Sequence, residues 1–199
     1  MRFALHPSPF TLHVMKKTIR GKCYVVGDDI DTDQIIPAEY LTYNPAIPEE
    51  RKMFGHFAMR GLPDKSQGLP FGNTPFVKNG AERSDYKILV AGRNFGCGSS
   101  REHASICLRE AGIECCVAEF YSRIFFRNSV NGGYLIPFEA ETRLIEKIKT
   151  GDELEVDVEH HQLKNLASGE TFRLKPIGEA LPIIEAGDIF KYAKQKGMA

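Results

Sequence analysis

Apolar residues recur along this chain with two different periods, and the change from one to the other marks its elements. The run Tyr86-Lys87-Ile88-Leu89-Val90-Ala91 is apolar, rich in branched side chains and of a length that suits a buried strand. Ile106, Leu108 and Ala111 have the spacing of a helix, expected to run through Gly112. A strand over Glu114–Ala118 follows, so strand, helix and strand predict a parallel pair. Between the first strand and its helix lies Arg93-Asn94-Phe95-Gly96-Cys97-Gly98-Ser99-Ser100-Arg101-Glu102-His103-Ala104, a glycine-rich turn.

Upstream, Thr18–Gly27 reads as a strand ending in glycine. Residues 42–85 are loop-rich, broken by five prolines from Pro45 to Pro75, with one short helix over Glu49–Met59. A loop of that length carries function or lies against a partner. Downstream, Phe120–Val130 is aromatic and helical in spacing, and its rings are expected in the core. Gly132-Gly133 ends it, Tyr134–Ile136 is a short strand, and Glu141–Thr150 is an amphipathic helix closed by Gly151. Leu154, Val156 and Val158, a turn near Gly169, then Phe172 and Leu174 predict a β-hairpin with His160 and His161 on its surface. A last turn and helix occupy Ala180–Ala186 and Asp188–Lys196. With no repeat and no linker, residues 15–199 are expected to form a single α/β domain. Residues 1–14, with Arg2, two histidines, two prolines and no acid, are read as a disordered extension, and Met15 resembles a natural start.

Composition narrows the partners. The chain has 199 residues, enough for a real core, and Lys plus Arg equal Asp plus Glu at 26 each. Without a basic run there is no electrostatic footprint for nucleic acid or an anionic membrane, so a small molecule or another protein is expected. No apolar stretch approaches the ~20 residues that span a bilayer. The five cysteines, with no Cys-x-x-Cys pair, fit a reducing compartment rather than a disulfide scaffold. No metal site is expected within this chain, and Cys107, Cys115 and Cys116 are expected in the core.

The candidate chemistry sits in two stretches. In the glycine-rich turn, Gly92, Gly96 and Gly98 allow backbone amides to converge where a helix begins, which attracts anions. Ser99, Ser100 and Arg101 follow at once and can hold a carboxylate. Three known motifs fail there: a dinucleotide fingerprint needs a small residue in place of Arg101, a phosphate loop needs a lysine after glycine, and a nucleophile elbow on Ser100 needs glycine in place of Glu102. Ser99 with Glu102 also fits a capping box, a helix start worth about 1 kcal/mol and nothing more. The second stretch, Asp28-Asp29-Ile30-Asp31-Thr32-Asp33-Gln34, crowds four carboxylates, yet Gln34 and Tyr40 occupy the glycine and glutamate positions of a calcium loop. These acids need either solvent or a cation such as Arg101.

Gly96-Cys97-Gly98-Ser99-Ser100-Arg101-Glu102-His103-Ala104, Asp31–Leu41 and Phe120–Gly133 together resemble three signatures of the aconitase superfamily, in its isopropylmalate isomerase small subunits. The resemblance covers Thr18–Lys196 and implies a three-layer β/β/α swivelling domain. It implies Ser99 as the catalytic base, acting as its alkoxide, with Ser100 and Arg101 holding a substrate carboxylate and Asp33 nearby. Leu41, Thr42 and Tyr43 would face the variable substituent. The loop has no cation before Arg51, which favours an isopropyl group over a further carboxylate such as that of homoaconitate; citraconate-type and methylthioalkyl substrates stay open. The resemblance further implies a separate large subunit carrying a 4Fe-4S cluster, an obligate heteromer and an active site at the interface. A serine hydrolase using Ser99 and His103 remains an alternative of another class, as does RNA binding.

Overall fold

The computed structural model describes residues 17–198. The expected extension at residues 1–14 lies outside them. In chain order the elements are β1 (Thr18–Val25), α1 (Thr32–Ile35), α2 (Pro48–His56), β2 (Ile88–Val90), α3 (Glu102–Glu110), β3 (Cys115–Ala118), α4 (Arg123–Asn131) and β4 (Ile136–Glu139). They continue with β5 (Glu153–Asp157), β6 (Gln162–Asn165), β7 (Thr171–Arg173), α5 (Leu181–Ala186) and α6 (Ile189–Gln195).

Successive residues of the central strands face two different cores. Cys23, Ile88, Cys115 and Ile136 lie in register across β1, β2, β3 and β4, all parallel. They pack with Leu154, Val156, Leu163 and Phe172 of β5 to β7. Their neighbours Tyr24, Leu89 and Cys116 point the other way, onto Ile35, Phe54, Leu108 and Phe125 of α1 to α4. The period of two therefore builds three layers: an antiparallel sheet, a parallel sheet and helices. β1 joins the sheets, pairing antiparallel with β5 from Thr18 to Lys22 and parallel with β2 from Cys23 to Val25. The sheet, in order β4-β3-β2-β1-β5-β6-β7, curls until Ala140 bridges Leu174. The expected β/β/α class is the one observed.

Glycine stops set where the strands begin. At the end of α4, Gly133 has φ +63, its amide bonds the Val130 carbonyl and that of Tyr134 bonds the Ser129 carbonyl at 3.0 Å. This pairing closes a helix with a left-handed residue. Tyr134 thus belongs to the cap, and the strand expected over Tyr134–Ile136 instead starts at Ile136. Gly112 ends α3 in the same way, with Ile113 bonding the Leu108 carbonyl.

Two further expectations are corrected. Glu141–Thr150 is not a helix, although Leu144 and Ile148 are buried at helical spacing. Its amides are diverted: Lys149 to the Asp152 carboxylate, Thr150 to the Leu69 carbonyl and Gly151 to the Cys23 carbonyl, while the Thr150 hydroxyl accepts from the Val25 amide at 2.9 Å. The segment is spread over the end of β1 and keeps only one turn. The expected hairpin is a three-stranded meander, β5 to β7, and His160 and His161 form its first turn, with His160 Nδ1 2.9 Å from Asp157. The aromatic stretch Phe120–Val130 is core only in part, since Phe125 is buried but Phe120 and Ile124 are exposed.

Candidate active site

Beyond the carboxyl ends of β1 and β2 the two chemical stretches lie side by side. The Gly92 amide bonds the Gly27 carbonyl, Asp29 bonds Arg93, Gly96 bonds Ile30 at 2.8 Å and Thr32 bonds Cys97 at 2.9 Å. Gly96 is required at its position: φ is +75, and a Cβ there would strike the Phe125 ring.

This seam separates the crowded acids. Asp28 accepts from the Arg93 amide and from both terminal nitrogens of Arg143, at 2.9 and 3.2 Å. The Arg143 guanidinium beside it holds the Asp28 carboxyl below the usual 3.8. Asp29 accepts from Asn94 at 2.9 Å. Asp31 caps α1, accepting from the Gln34 amide at 2.7 Å while its own amide donates to the Gln34 side chain. Asp33 pairs with Arg101. Each acid thus has its own job.

Gly98, Ser99 and Ser100 are exposed, and α3 begins only at Glu102, with an N-cap, Arg101, whose side chain makes no capping bond. The capping box expected from Ser99 and Glu102 is therefore absent: Glu102 accepts from the Tyr134 hydroxyl at 2.7 Å instead. Among the described residues no acceptor takes the amides of Gly98, Ser99, Ser100 or Arg101, while those of Gly96 and Cys97 go to the Ile30 carbonyl. The positive end of α3 and these open amides make a place where an anion is stabilised. Thr32, buried at 2% exposure, supports it from below: its hydroxyl donates to the Ser99 carbonyl at 3.2 Å and lies 3.4 Å from the Ser99 hydroxyl. Sequence reasoning missed Thr32, whose only signal was its place between Asp31 and Asp33.

Leu41, Thr42 and Tyr43 end a 3-10 turn, Ala38–Thr42, that lies over α2. Tyr40 stacks on Phe57 at 3.9 Å, and Tyr43 meets Phe57 at 5.9 Å and Phe54 at 6.4 Å. Phe54 in turn meets His103 at 5.5 Å, so a chain of rings joins this loop to the first turn of α3. Leu41 and Tyr43 are half-buried, and exposed Thr42 donates to the Glu39 carbonyl. Although the loop itself has no cation, the fold brings Arg60 over the Phe57 ring at 5.7 Å. The structure thus unites Thr32, Asp33, Ser99 and Arg101, and connects Leu41, Thr42 and Tyr43 to them only indirectly. His103 packs on Phe54, and among the described residues no hydrogen bond joins it to Ser99, which leaves the serine hydrolase without its dyad.

The sequence matches the aconitase C-terminal domain family over residues 27–142. It is 48% identical to 3-isopropylmalate dehydratase small subunit 3 of Arabidopsis thaliana, covering 93% of this chain and 72% of that one. The chain belongs to the 3-isopropylmalate dehydratase small-subunit family. It is also 40% identical to the isopropylmalate/citramalate isomerase small subunit of Methanocaldococcus jannaschii, covering 92% of this chain and 97% of the other. A crystal structure of 3-isopropylmalate dehydratase from the same organism superposes with a TM-score of 0.71 at 36% identity, covering 91% and 96% of the two chains.

For a member of this small-subunit family, the cysteines matter. All five are free thiols. Burial pushes Cys23 and Cys116 up to about 12 and raises Cys107 and Cys115 as well. Burial and then the charges of Asp31 and Asp29 raise half-buried Cys97. None is disposed toward a thiolate ligand at neutral pH. Among the described residues no three His, Cys, Asp or Glu side chains are grouped to hold a metal ion, and no helix is long and apolar enough to cross a membrane. The described residues do not fit an iron–sulfur cluster of their own.

Proposed function

We propose that this chain is the small subunit of a 3-isopropylmalate dehydratase. It interconverts 2-isopropylmalate and 3-isopropylmalate by removing and re-adding water, in leucine biosynthesis, and is active only when joined to a large subunit. The observation that carries this furthest is the whole-chain likeness to 3-isopropylmalate dehydratase small subunits, with the exposed Ser99-Ser100-Arg101 loop beside Asp33 as the chemical counterpart.

The reaction removes a proton from a carbon beside a carboxylate, which is weakly acidic. Ser99, as its alkoxide, takes that proton. A serine oxygen can do so only where its anion is stabilised, and the open amides of residues 98–101, the N-terminus of α3 and Arg101 supply that stabilisation. Ser100 and Arg101 hold a substrate carboxylate. Asp33 orients Arg101 through their ion pair or assists the proton's movement. Leu41, Thr42 and Tyr43 face the isopropyl group, and the half-buried Leu41 suits it.

The Lewis-acid pull on the departing hydroxyl is supplied by a 4Fe-4S cluster held on the large subunit. The active site is therefore shared across a heteromeric interface. Five free cysteines suit a reducing compartment, the cytoplasm or a plant or algal plastid.

The test is turnover of 2-isopropylmalate by this chain mixed anaerobically with cluster-loaded large subunit, beside each component alone and a Ser99→Ala mixture. Activity is expected only in the wild-type mixture, with Ser99→Ala lowering it about a hundredfold to ten-thousandfold. Activity of this chain alone would overturn the heteromer; an unimpaired Ser99→Ala mixture would remove the base. Citramalate and homocitrate, offered in parallel, separate the related hydro-lyases. The printed name of the Methanocaldococcus jannaschii relative makes citramalate the substrate to compare first.

A further inference from the structure

Next to the Ser99 loop lies a surface that the chemistry does not use. Phe120 and Ile124 are each 44% exposed, on a segment that also turns Arg123 and Arg127 to solvent. That segment is fixed to the loop: the Phe95 amide bonds the Phe120 carbonyl at 3.2 Å, Ser122 bonds the Phe95 carbonyl at 3.0 Å, and Gly96 lies directly on the Phe125 ring. Residues 120–131 contain no acid and no lysine, and among the described residues Arg123 and Arg127 have no ion-pair partner. The neighbouring acid, Glu119, is taken by Arg143. α4 also starts without a side-chain cap and with no acidic residue in its first turn.

Aromatic residues and arginine, with acids and lysine absent, are the composition of an interface centre, and adjoining exposed apolar side chains mark an interaction site. We infer that Phe120, Arg123, Ile124 and Arg127 form a docking surface for the large subunit, which meets it with an apolar hollow rimmed by Asp or Glu. The inference rests on the proposed heteromeric function. A subunit that closes over the exposed Ser99-Ser100-Arg101 loop comes close to the strip hydrogen-bonded to Phe95, four residues before Ser99. Acidic groups on the partner would then answer Arg123, Arg127 and the uncapped start of α4.

The experiment measures complex formation by sedimentation, with the cluster-loaded large subunit held under anaerobic conditions. The wild-type chain and Phe190→Glu, altering an 81% exposed ring on α6, are expected to bind alike. Phe120→Glu with Ile124→Glu is expected to bind at least tenfold more weakly, with unchanged circular dichroism and melting. Arg123→Glu, a charge reversal on an exposed side chain that leaves the core untouched, is expected to weaken binding and steepen its salt dependence. Undiminished binding by both altered chains overturns the inference while leaving the heteromer intact. Failure of the wild-type chain to bind overturns the heteromer and the inference together. A self-association of this chain that the same substitutions disperse makes the surface a contact between copies and likewise overturns it.

Discussion

Arg101 and Asp33, 68 residues apart in the chain, form an ion pair that ties the loop before α3 to α1. The guanidinium side chain is mostly covered, at 21% exposure, while the carboxylate remains 58% exposed. Only one terminal nitrogen of Arg101 is engaged among the described residues, so the planar fork is held in place with donors to spare for a ligand carboxylate.

Arg101→Lys keeps the charge and loses that fork. In the reconstituted mixture it is expected to raise KM for 2-isopropylmalate tenfold or more, since a hydrogen bond to a charged group contributes about 1.5–3 kcal/mol. Steady-state kinetics check this, and an unchanged KM would remove Arg101 from the substrate.

Thr32→Val keeps the backbone bond from residue 32 to Cys97 but deletes the hydroxyl beneath Ser99. Stability is expected to fall by about 1 kcal/mol, for one lost buried hydrogen bond. Turnover should fall roughly tenfold, because a loosely held base loses its near-attack geometry. Denaturant midpoints and kcat on the same preparation separate the two effects.

The two glycines of the loop should respond differently to alanine. At Gly96 a Cβ would collide with the Phe125 ring, whereas at Gly98 the nearest side-chain atom stands at 3.5 Å. Both have positive φ, +75 and +88, so both substitutions carry backbone strain of about 1–2 kcal/mol. Gly96→Ala is expected to cost clearly more than Gly98→Ala, by about a further 1–3 kcal/mol of overpacking. Thermal melting of the two variants compares them directly.

Arg143→Gln tests the charge seam. Because Arg143 lowers the Asp28 carboxyl, that group's stabilisation is complete above the unfolded value of 3.8 and is lost as pH falls through its lower folded value. The variant is expected to be less stable than the wild type by about 1 kcal/mol near neutral pH, the two residues being partly exposed. The gap should close in acid, below about pH 4. Urea midpoints across that range read it, and a gap that widens in acid would contradict the assignment of the Asp28 shift to Arg143.

Local pattern was enough for much of the order of the elements, though not for α1, the turn at residues 141–150 or the third strand of the meander. Continuous apolar runs at Ile88–Val90 and Cys115–Ala118, helical spacing after Glu102 and glycines at 112 and 133 each act within a few residues, so they are legible before any contact is known. The same holds for the Ser99–Arg101 loop, whose glycines and hydroxyls adjoin in the chain. What tertiary structure alone decided is which partner each group meets. The parallel pairing of β1 with β2 lays residues 27–32 against residues 92–97, and from that register follow Asp28 with Arg143, Asp33 with Arg101 and Thr32 beneath Ser99. Tertiary bonds also took the amides of residues 150 and 151 at the end of the expected helix, and placed Arg60 beside a loop whose own sequence holds no cation. Short-range periodicity reports the backbone's own preference; a side chain's partner depends on how distant segments are superposed, which no local period encodes.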